Sequence, residues 1–403
     1  MNRLSLFFLF ACLGIVSCEK ASPEKVAATN PEEIKLTKAE SAVRDVSNVF
    51  GVEVFKELNS SNTSENVVFS PLSLSLSLAM AAEGAQGATY DQFANVVGWK
   101  EMDRGSVSSF YRTLTNGLAK VDNVVRFSDA ASVWYVNSAK PRAEYVVRLK
   151  EGYAAESFAV EDFGSAATVE RINTWCKDKT DGKITAIFPS LDRNTKMLLI
   201  DAMFFEGPWS FDSVKDGKST FHGVNGDSRK NYMSATAVLP YREFPEYECL
   251  ILPYGNYSYE MHILLPKTGK TITDVLNAMN GKYVPVYDTR EAKLRLPMFS
   301  SEFSSEESLK KALVKMGLTL PFSPEADFSG IANNVYISNV TQRNRIEVTE
   351  RGASTESVSV VIMGDTGPYR APGKIDFVVD KPFVYAIFER TSGTLLLLGT
   401  YNK

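Results

Sequence analysis

The sequence contains few residues that could form a catalytic pair of a nucleophile and a base. Its 403 residues contain two histidines, His222 and His262, and one conspicuous serine, Ser70, directly before Pro71. No base accompanies Ser70 in the sequence, and a serine before a proline suits the cap and first turn of a helix. A Ser-His-Asp site or a histidine-based metal site would therefore be hard to build.

Short catalytic signatures are also missing from the sequence. It contains no G-x-S-x-G, no phosphate-binding glycine loop, no H-E-x-x-H and no C-x-x-C. Asp201 lies inside the apolar run LLIDAMFF and would need hydrogen bonds or a proton if buried, so we predict a structural polar link there. We expect no catalytic residue, no metal site and no cofactor, and therefore no enzyme.

The charge of the chain argues against some binding partners, and its cysteine content argues against a disulfide scaffold. The formal net charge is −4, and the basic clusters around Lys177 and Arg343 are interleaved with acids or isolated. This pattern gives no basic footprint for nucleic acid and predicts a solvated face rather than a polyanion site. Cys176 and Cys249 lie in helix-like and strand-like patterns, and we predict free, half-buried thiols for both.

The N-terminus has the pattern of an export signal. Arg3 precedes the apolar run LSLFFLFACLGIV, which is short for a membrane span. The run ends in IVSC at residues 15–18, which resembles the bacterial lipobox, so we predict a signal peptide over 1–17 and lipidation of Cys18. An ordinary secretory signal with an incidental Cys18 is the alternative. The lipid would anchor the protein to the bacterial cell envelope, where we expect the outer membrane and a surface-exposed position.

The elements behind this N-terminus predict one large domain. The polar stretch 18–38 is typical of a flexible tether, and 39–403 shows no second linker or repeat. A long first helix is predicted by apolar residues at helical spacing, followed by a helix that starts at Ser70 and Pro71 and stops at Gly84. Strand-like runs are grouped late in the chain, which indicates an α+β fold with large antiparallel or mixed sheets.

Several stretches together resemble the serpin family. They are NVVFSPLSLSLSLAMAAEGAQGATYDQF (66–93), INTWCKDKTDGKI (172–184), NTKMLLIDAMFFEGPW (194–209), MGLTLPFSPEADFSGI (316–331) and DFVVDKPFVYAIFERTSGTLLLLGTY (376–401). The stretches follow the family's order over nearly all of 39–403. The resemblance implies a serpin fold of three β-sheets and eight to nine helices, a monomer, and an exposed reactive-centre loop at about 350–374.

In inhibitory serpins a protease cuts this loop, and the cut loop then inserts as a strand into the central sheet. The predicted hinge that enters first consists of Glu350, Arg351, Gly352, Ala353, Ser354, Thr355, Glu356 and Ser357. Alternate side chains of a strand face opposite sides. One alternation here is small and uncharged over four positions from Ala353, and the other carries the single charge, Glu356. A permanently exposed loop could have the same composition, but this placement of the charge favours insertion.

The cleaved bond is less well determined than the hinge. Counting from Gly352 as in typical inhibitory members places it at Thr366–Gly367, which would suit an elastase- or subtilisin-like protease. Counting back from DKPF places it near Arg370–Ala371, which would suit a trypsin-like enzyme, and Tyr369 would suit a chymotrypsin-like one. The range of alternatives extends from Met363 to Arg370.

The resemblance also points to a region that controls opening of the sheet. Its candidates here are Ser70, Asn173, Trp209 and Gln342, with Trp209 at the place where a loop would first insert. The sequence thus predicts a suicide inhibitor of serine proteases, with cysteine proteases as a second target class. The alternative is a non-inhibitory surface lipoprotein that uses a serpin-like body for binding or as a scaffold.

Overall fold

The structure of the protein is a computed structural model. It describes residues 30–182, 184–185, 187–286, 288–338, 340, 342–351 and 373–403. In this part of the chain the helices are α1 Lys38–Ser60, α2 Pro71–Gly84, α3 Gly87–Val97, α4 Arg104–Leu118, α5 Ala143–Tyr153, α6 Ala166–Lys179, α7 Ile272–Ala278 and α8 Glu306–Lys315, with short 3-10 turns at Asn137–Ala139 and Leu320–Phe322.

The strands number fourteen in the same described residues. They are β1 Val68–Phe69, β2 Arg126–Val136, β3 Glu156–Val160, β4 Met197–Glu206, β5 Val214–Gly223, β6 Gly226–Glu243, β7 Tyr247–Tyr254, β8 Tyr259–Pro266, β9 Thr289–Pro297, β10 Phe299–Ser304, β11 Arg343–Val348, β12 Gly373–Val378, β13 Phe383–Glu389 and β14 Thr394–Tyr401. Helices are concentrated early and strands late. This α+β arrangement is the predicted one.

The strands form three sheets. The large sheet has the order β1-β14-β13-β8-β7-β6-β9-β12, with β5 paired to β6. The order β3-β2-β4 forms a second sheet, called here the three-strand sheet, and β10-β11 form the two-strand sheet. The three sheets and eight helices match the predicted serpin-type architecture.

Helix α2 is the buried centre of the molecule. Ser70 caps it by accepting a hydrogen bond from Ser73 N, and Pro71 occupies its first turn, as the sequence predicts. Twelve of its fourteen residues are buried, which is possible because its sequence is apolar or small on every side. The helix ends where Gly84 touches Ile331, since a Cβ at Gly84 would lie 2.1 Å from Ile331 Cγ1.

Helix α6 covers the other face of the three-strand sheet. A second apolar cluster joins Trp175 and Cys176 of α6 to Trp134 of β2 and Ile200 of β4. The alternating residues Met203 and Phe205 of β4 belong instead to the main core that contains α2. Strand β4 is therefore buried on both faces over Ile200–Phe205.

The first described residues pack on the body of the protein. Ile34 is buried, its N–H donates to Thr391 Oγ1 at 2.9 Å, and α1 then starts with a capping box between Thr37 and Glu40.

No helix in the described ranges combines the length and apolar character that a membrane crossing needs.

Candidate functional site: the gap between two sheets

The edge strands β4 and β11 lie next to each other in the described chain without pairing into one sheet, and the seam between their unpaired edges is called here the gap. They belong to separate sheets in the part of the chain that the structure describes, although α2 lies behind both. The start of β4 and residues 340 and 342, just before β11, line one cavity, while Trp209 and Thr349 meet beyond the other ends of the strands. β4 and β11 therefore run in the same direction.

The chain after β11 is fixed at one end of this gap. Trp209 Nε1 donates to the carbonyl oxygen of Thr349 at 3.0 Å, and Ser213 Oγ donates to that of Glu350 at 3.0 Å. Lys215 Nζ lies 3.2 Å from Glu350 Oε1. Although burial alone would raise the pKa of Glu350, a backbone hydrogen bond and Lys215 hold it below its usual value. These contacts hold Glu350, the first residue of the predicted loop.

A cavity occupies the opposite end of the gap. Its volume is about 40 Å³, enough for roughly three water molecules. Apolar side chains of β4, α2 and the segment 336–340 form most of its wall, and Asp201 and Gln342 add polar groups. The space between the strands is thus continuous with a partly empty pocket above α2.

Uncharged hydrogen bonds join the chain at the start of β11 to the N-terminus of α2. Gln342 Nε2 donates to Ser70 O at 3.0 Å, and Ser70 N donates to Gln342 Oε1 at 3.3 Å. Asn344 Nδ2 also donates to Gln342 Oε1, at 3.1 Å, and Ser70 Oγ donates to Leu396 O at 2.8 Å. Gln342 therefore serves as donor and acceptor at once.

Asp201 of β4 and Asp129 of β2 add two carboxyl groups to the same region. Ser73 Oγ donates to Asp129 Oδ1 at 3.2 Å. Burial, followed by the charge of Asp129, raises the pKa of Asp201 well above its ordinary value, and burial also raises the pKa of Asp129, to about 6. The polar link predicted at Asp201 is therefore a carboxyl pair.

The structure brings together only some of the predicted site residues. Ser70 and Gln342 touch, and Trp209 lies at the end of the gap where insertion was expected to begin. Asn173 does not join Ser70 beneath the sheet, because it lies on α6 at the opposite face. Its amide instead donates to Phe188 O and accepts from Ile187 N and Phe188 N, which ties the chain after α6 to that helix.

The other predicted positions lie only partly within the described residues. Glu350 and Arg351 are described, whereas the rest of the hinge from Gly352 to Ser357 and the reactive bond with its alternatives (Met363, Thr366, Gly367, Tyr369, Arg370, Ala371) lie outside the described residues. Cys18 lies outside them as well. These assignments remain predictions. Cys176 and Cys249 are free but fully buried, not half-buried as expected, because α6 and the large sheet cover them.

Sequence reasoning missed three contributors to the site. Ser213 and Lys215 lie in a polar, strand-like segment whose pattern gives no sign that it would contact Glu350. Asp129 could have been found, because it is the only charge between Phe127 and Val136, just as Asp201 is alone in its apolar run.

Comparison with known proteins identifies the architecture. The family model described as "Serpin (serine protease inhibitor)" matches residues 45–403. The chain belongs to the serpin family. An uncharacterized serpin-like protein of Thermococcus kodakarensis is 30% identical over 366 residues, covering 89% of this chain and 85% of that protein. Serpin-ZXA of Oryza sativa subsp. japonica is 30% identical over 359 residues, covering 83% and 89%.

Solved serpin structures agree over nearly the whole chain. The native-state structure of the thermophilic serpin tengpin has a TM-score of 0.76 at 25% identity and covers 94% of this chain and 97% of that one. Maspin has a TM-score of 0.80 at 24% identity, covering 91% and 100%, and supports the fold alone. The family is one of protease inhibitors, so a protease is the kind of partner that serpin membership indicates for this chain.

Proposed function

We propose that this serpin is a suicide inhibitor of serine proteases, with cysteine proteases as a second target class. The observation that carries the proposal is the gap between the parallel strands β4 and β11, anchored through Trp209 and Thr349 at the end where the loop begins. A chain that leaves β11 there and turns back would run antiparallel to both strands. It could then pair with both edges at once.

The loop contains a segment whose length and side chains suit insertion between β4 and β11. β4 has ten residues, and residues 353–363 would extend over a similar length. If residue 353 lies beside Val348, then Ser359 lies beside Gln342, at the level of Asp201. In that register the small alternation faces α2, and Val361 and Met363 reach the apolar part of the cavity.

The covalent step follows from serine protease chemistry. The protease serine attacks the carbonyl carbon of Thr366, the bond to Gly367 nitrogen breaks, and the amine leaves with a proton. The chain up to Thr366 is then joined to the protease through an ester. Insertion of residues 353–363 before water hydrolyses that ester would carry the protease along the sheet and distort its catalytic site. The serpin itself supplies no acid or base.

Localisation belongs to the proposal as well. Acylation of Cys18 would attach the chain to the cell envelope, and a surface position would place the loop in reach of extracellular proteases. Among the described residues Ile34 is the first that is buried. If the tether begins at Cys18 and ends there, about fifteen residues would separate lipid from domain, with a mean span of roughly 20 Å. We expect the anchored protein to act as a monomer.

The test is incubation of the mature chain with elastase-, subtilisin-, trypsin- and papain-like proteases. We expect loss of protease activity and a complex that survives SDS, and none with a protease whose active-site serine is chemically blocked. The mass of the released peptide identifies the bond: cleavage after Thr366 releases 37 residues and cleavage after Arg370 releases 33. Cleavage by every protease without complex or inhibition would overturn the proposal and favour a non-inhibitory binding role.

A further inference from the structure

The carboxyl groups of Asp129 and Asp201 lie together between the three-strand sheet and α2. Asp129 pairs with Met203 and Ala131 with Asp201 across β2 and β4, so the two aspartates are diagonal neighbours on one face. Ser73 of α2 reaches Asp129, and Asp201 lines the cavity between β4 and the chain before β11. One carboxyl therefore borders the gap, and the other lies one strand behind it.

The described residues give no hydrogen bond that would compensate a negative charge on Asp201. Neither of its carboxyl oxygens finds a hydrogen-bond partner within the described ranges, and both are out of contact with solvent. An ionised carboxylate placed there would be a buried and uncompensated charge. A proton on Asp201 removes this conflict, because a carboxylic acid can donate and the Asp129 carboxylate beside it can accept. Burial and the charge of Asp129 raise the pKa of Asp201 more than the neighbouring Ser73 hydroxyl lowers it, so a proton on Asp201 supplies the donor toward Asp129.

The surroundings of the pair offer no compensating cation. The other titratable groups coupled to it are the Tyr111 phenol from α4 and the Cys176 thiol from α6. Burial raises the pKa of both, that of Cys176 to about 12, so both stay neutral near pH 7. From α2 and the segment before β11 the nearest polar groups are the uncharged Ser73 and Gln342. No basic side chain of the described residues acts on either aspartate.

We propose that Asp129 and Asp201 form a proton-dependent brake on strand separation. Protonation of the pair keeps β4 beside β11 in acid, and loss of the protons lets the two strands separate as the pH rises. Separation of β4 from β11 would admit water to the cavity wall and give Asp201 the hydrogen-bond donors that it lacks. Opening would therefore release a proton. This control acts on the native sheet, and it would operate whether or not the protein traps proteases.

The direction of the effect follows from proton linkage. A carboxyl whose pKa is higher in the closed state stabilises that state fully below its ordinary pKa near 4, and the stabilisation is lost as the pH rises through the higher value. Each unit of difference is a tenfold change in the opening equilibrium. With a closed-state pKa of about 6, Asp129 alone favours opening about tenfold more at pH 8 than at pH 5. Asp201 acts in the same direction.

Urea unfolding of the mature chain at pH 5 and pH 8 tests the brake. We expect the equilibrium constant of the first transition to rise by more than about tenfold from pH 5 to pH 8 in the wild type, because both carboxyl groups contribute. Asp201→Asn keeps a donor toward Asp129 without a titrating proton, so its change should fall to about the tenfold that Asp129 contributes alone. Asp178→Asn makes the same change of charge on the exposed face of α6 and should retain the wild-type change. Equal pH dependence in wild type and Asp201→Asn would overturn the proposal.

A second measurement uses only the wild-type protein and so does not depend on whether a variant folds. Infrared absorption of protonated carboxyl groups in the wild-type protein should persist at pH 6, where ordinary aspartates and glutamates are ionised, and should fall as the pH rises further. If no protonated carboxyl is present at pH 6, the pair does not hold its proton and the brake does not exist.

Discussion

The indole nitrogen of Trp209 donates to the carbonyl oxygen of Thr349 at 3.0 Å and so joins the end of β4 to the end of β11. The same ring stacks on Tyr254 with 4.3 Å between centroids. Trp209 therefore combines core packing with a specific hold on the chain that precedes the predicted loop. The gap between the sheets is tied at the end where an inserting strand would have to start.

Trp209→Phe separates these two contributions. Phenylalanine keeps an aromatic ring against Tyr254 but loses the N–H, so we expect native stability to fall by about 1 kcal/mol and spontaneous loop insertion to become faster. Trp99→Phe is the matched control, because the Trp99 indole nitrogen is buried and finds no partner in the described chain. Urea midpoints and the rate at which inhibitory activity is lost on storage measure both effects. An effect of Trp209→Phe on insertion no larger than that of Trp99→Phe would exclude the anchoring role.

Ser70→Ala tests the polar contacts between α2 and the strands. The Ser70 hydroxyl caps Ser73 N and donates to Leu396 O, and its loss leaves both groups buried without that partner. We expect the free energy of unfolding to fall by about 1–3 kcal/mol. Ser77→Ala, at a half-buried serine of the same helix that lines the cavity, should change it by much less. Equal losses in the two variants would show that Ser70 acts only through its volume.

Alkaline pH should weaken the large sheet through His262. Burial would lower the pKa of His262, but its hydrogen bonds with Cys249 and Glu260 prevail and hold the pKa at about 10. The imidazolium lies 2.7 Å from Glu260, so the stability from this pair is complete below pH 6.5 and is lost as the pH rises through about 10.

His262→Gln isolates that contribution. The variant should be less stable than the wild type at pH 7 and should lose less stability between pH 7 and pH 10.5, as measured by urea unfolding. His222→Gln changes an exposed histidine and should keep the wild-type pH dependence. A wild-type pH dependence in His262→Gln would show that tyrosines and other groups cause the alkaline loss.

Local patterns in the sequence were sufficient to predict the helices and strands. The cap at Ser70 and Pro71 and the stop at Gly84 each depend on residues that are close together in the sequence. The structure confirms these elements because tertiary packing agrees with local preference at each of them.

The site depends on contacts that no local pattern encodes. Lys215 and Glu350 are far apart in the chain and meet only because β4 and β11 run side by side. Asn173 shares the resemblance with Ser70 but lies on α6 at the other face of the three-strand sheet, because the resemblance gives a residue type and not the direction of its side chain. The gap itself could not be predicted from pairing rules, since an unpaired edge is normally covered or blocked.

Thr355→Arg is the sharpest test of how the loop would insert. In the proposed register, residue 355 faces α2 and residue 354 faces the opposite side. Burying a guanidinium above the apolar core costs several kcal/mol, so insertion should slow and the ester should be hydrolysed first. Thr355→Arg should then be cleaved as a substrate with little stable complex, whereas Ser354→Arg should still form it. The ratio of complex to cleaved chain on SDS gels measures the difference. Equal ratios in the two variants would contradict the register, and complex lost only in Ser354→Arg would place the opposite alternation against α2.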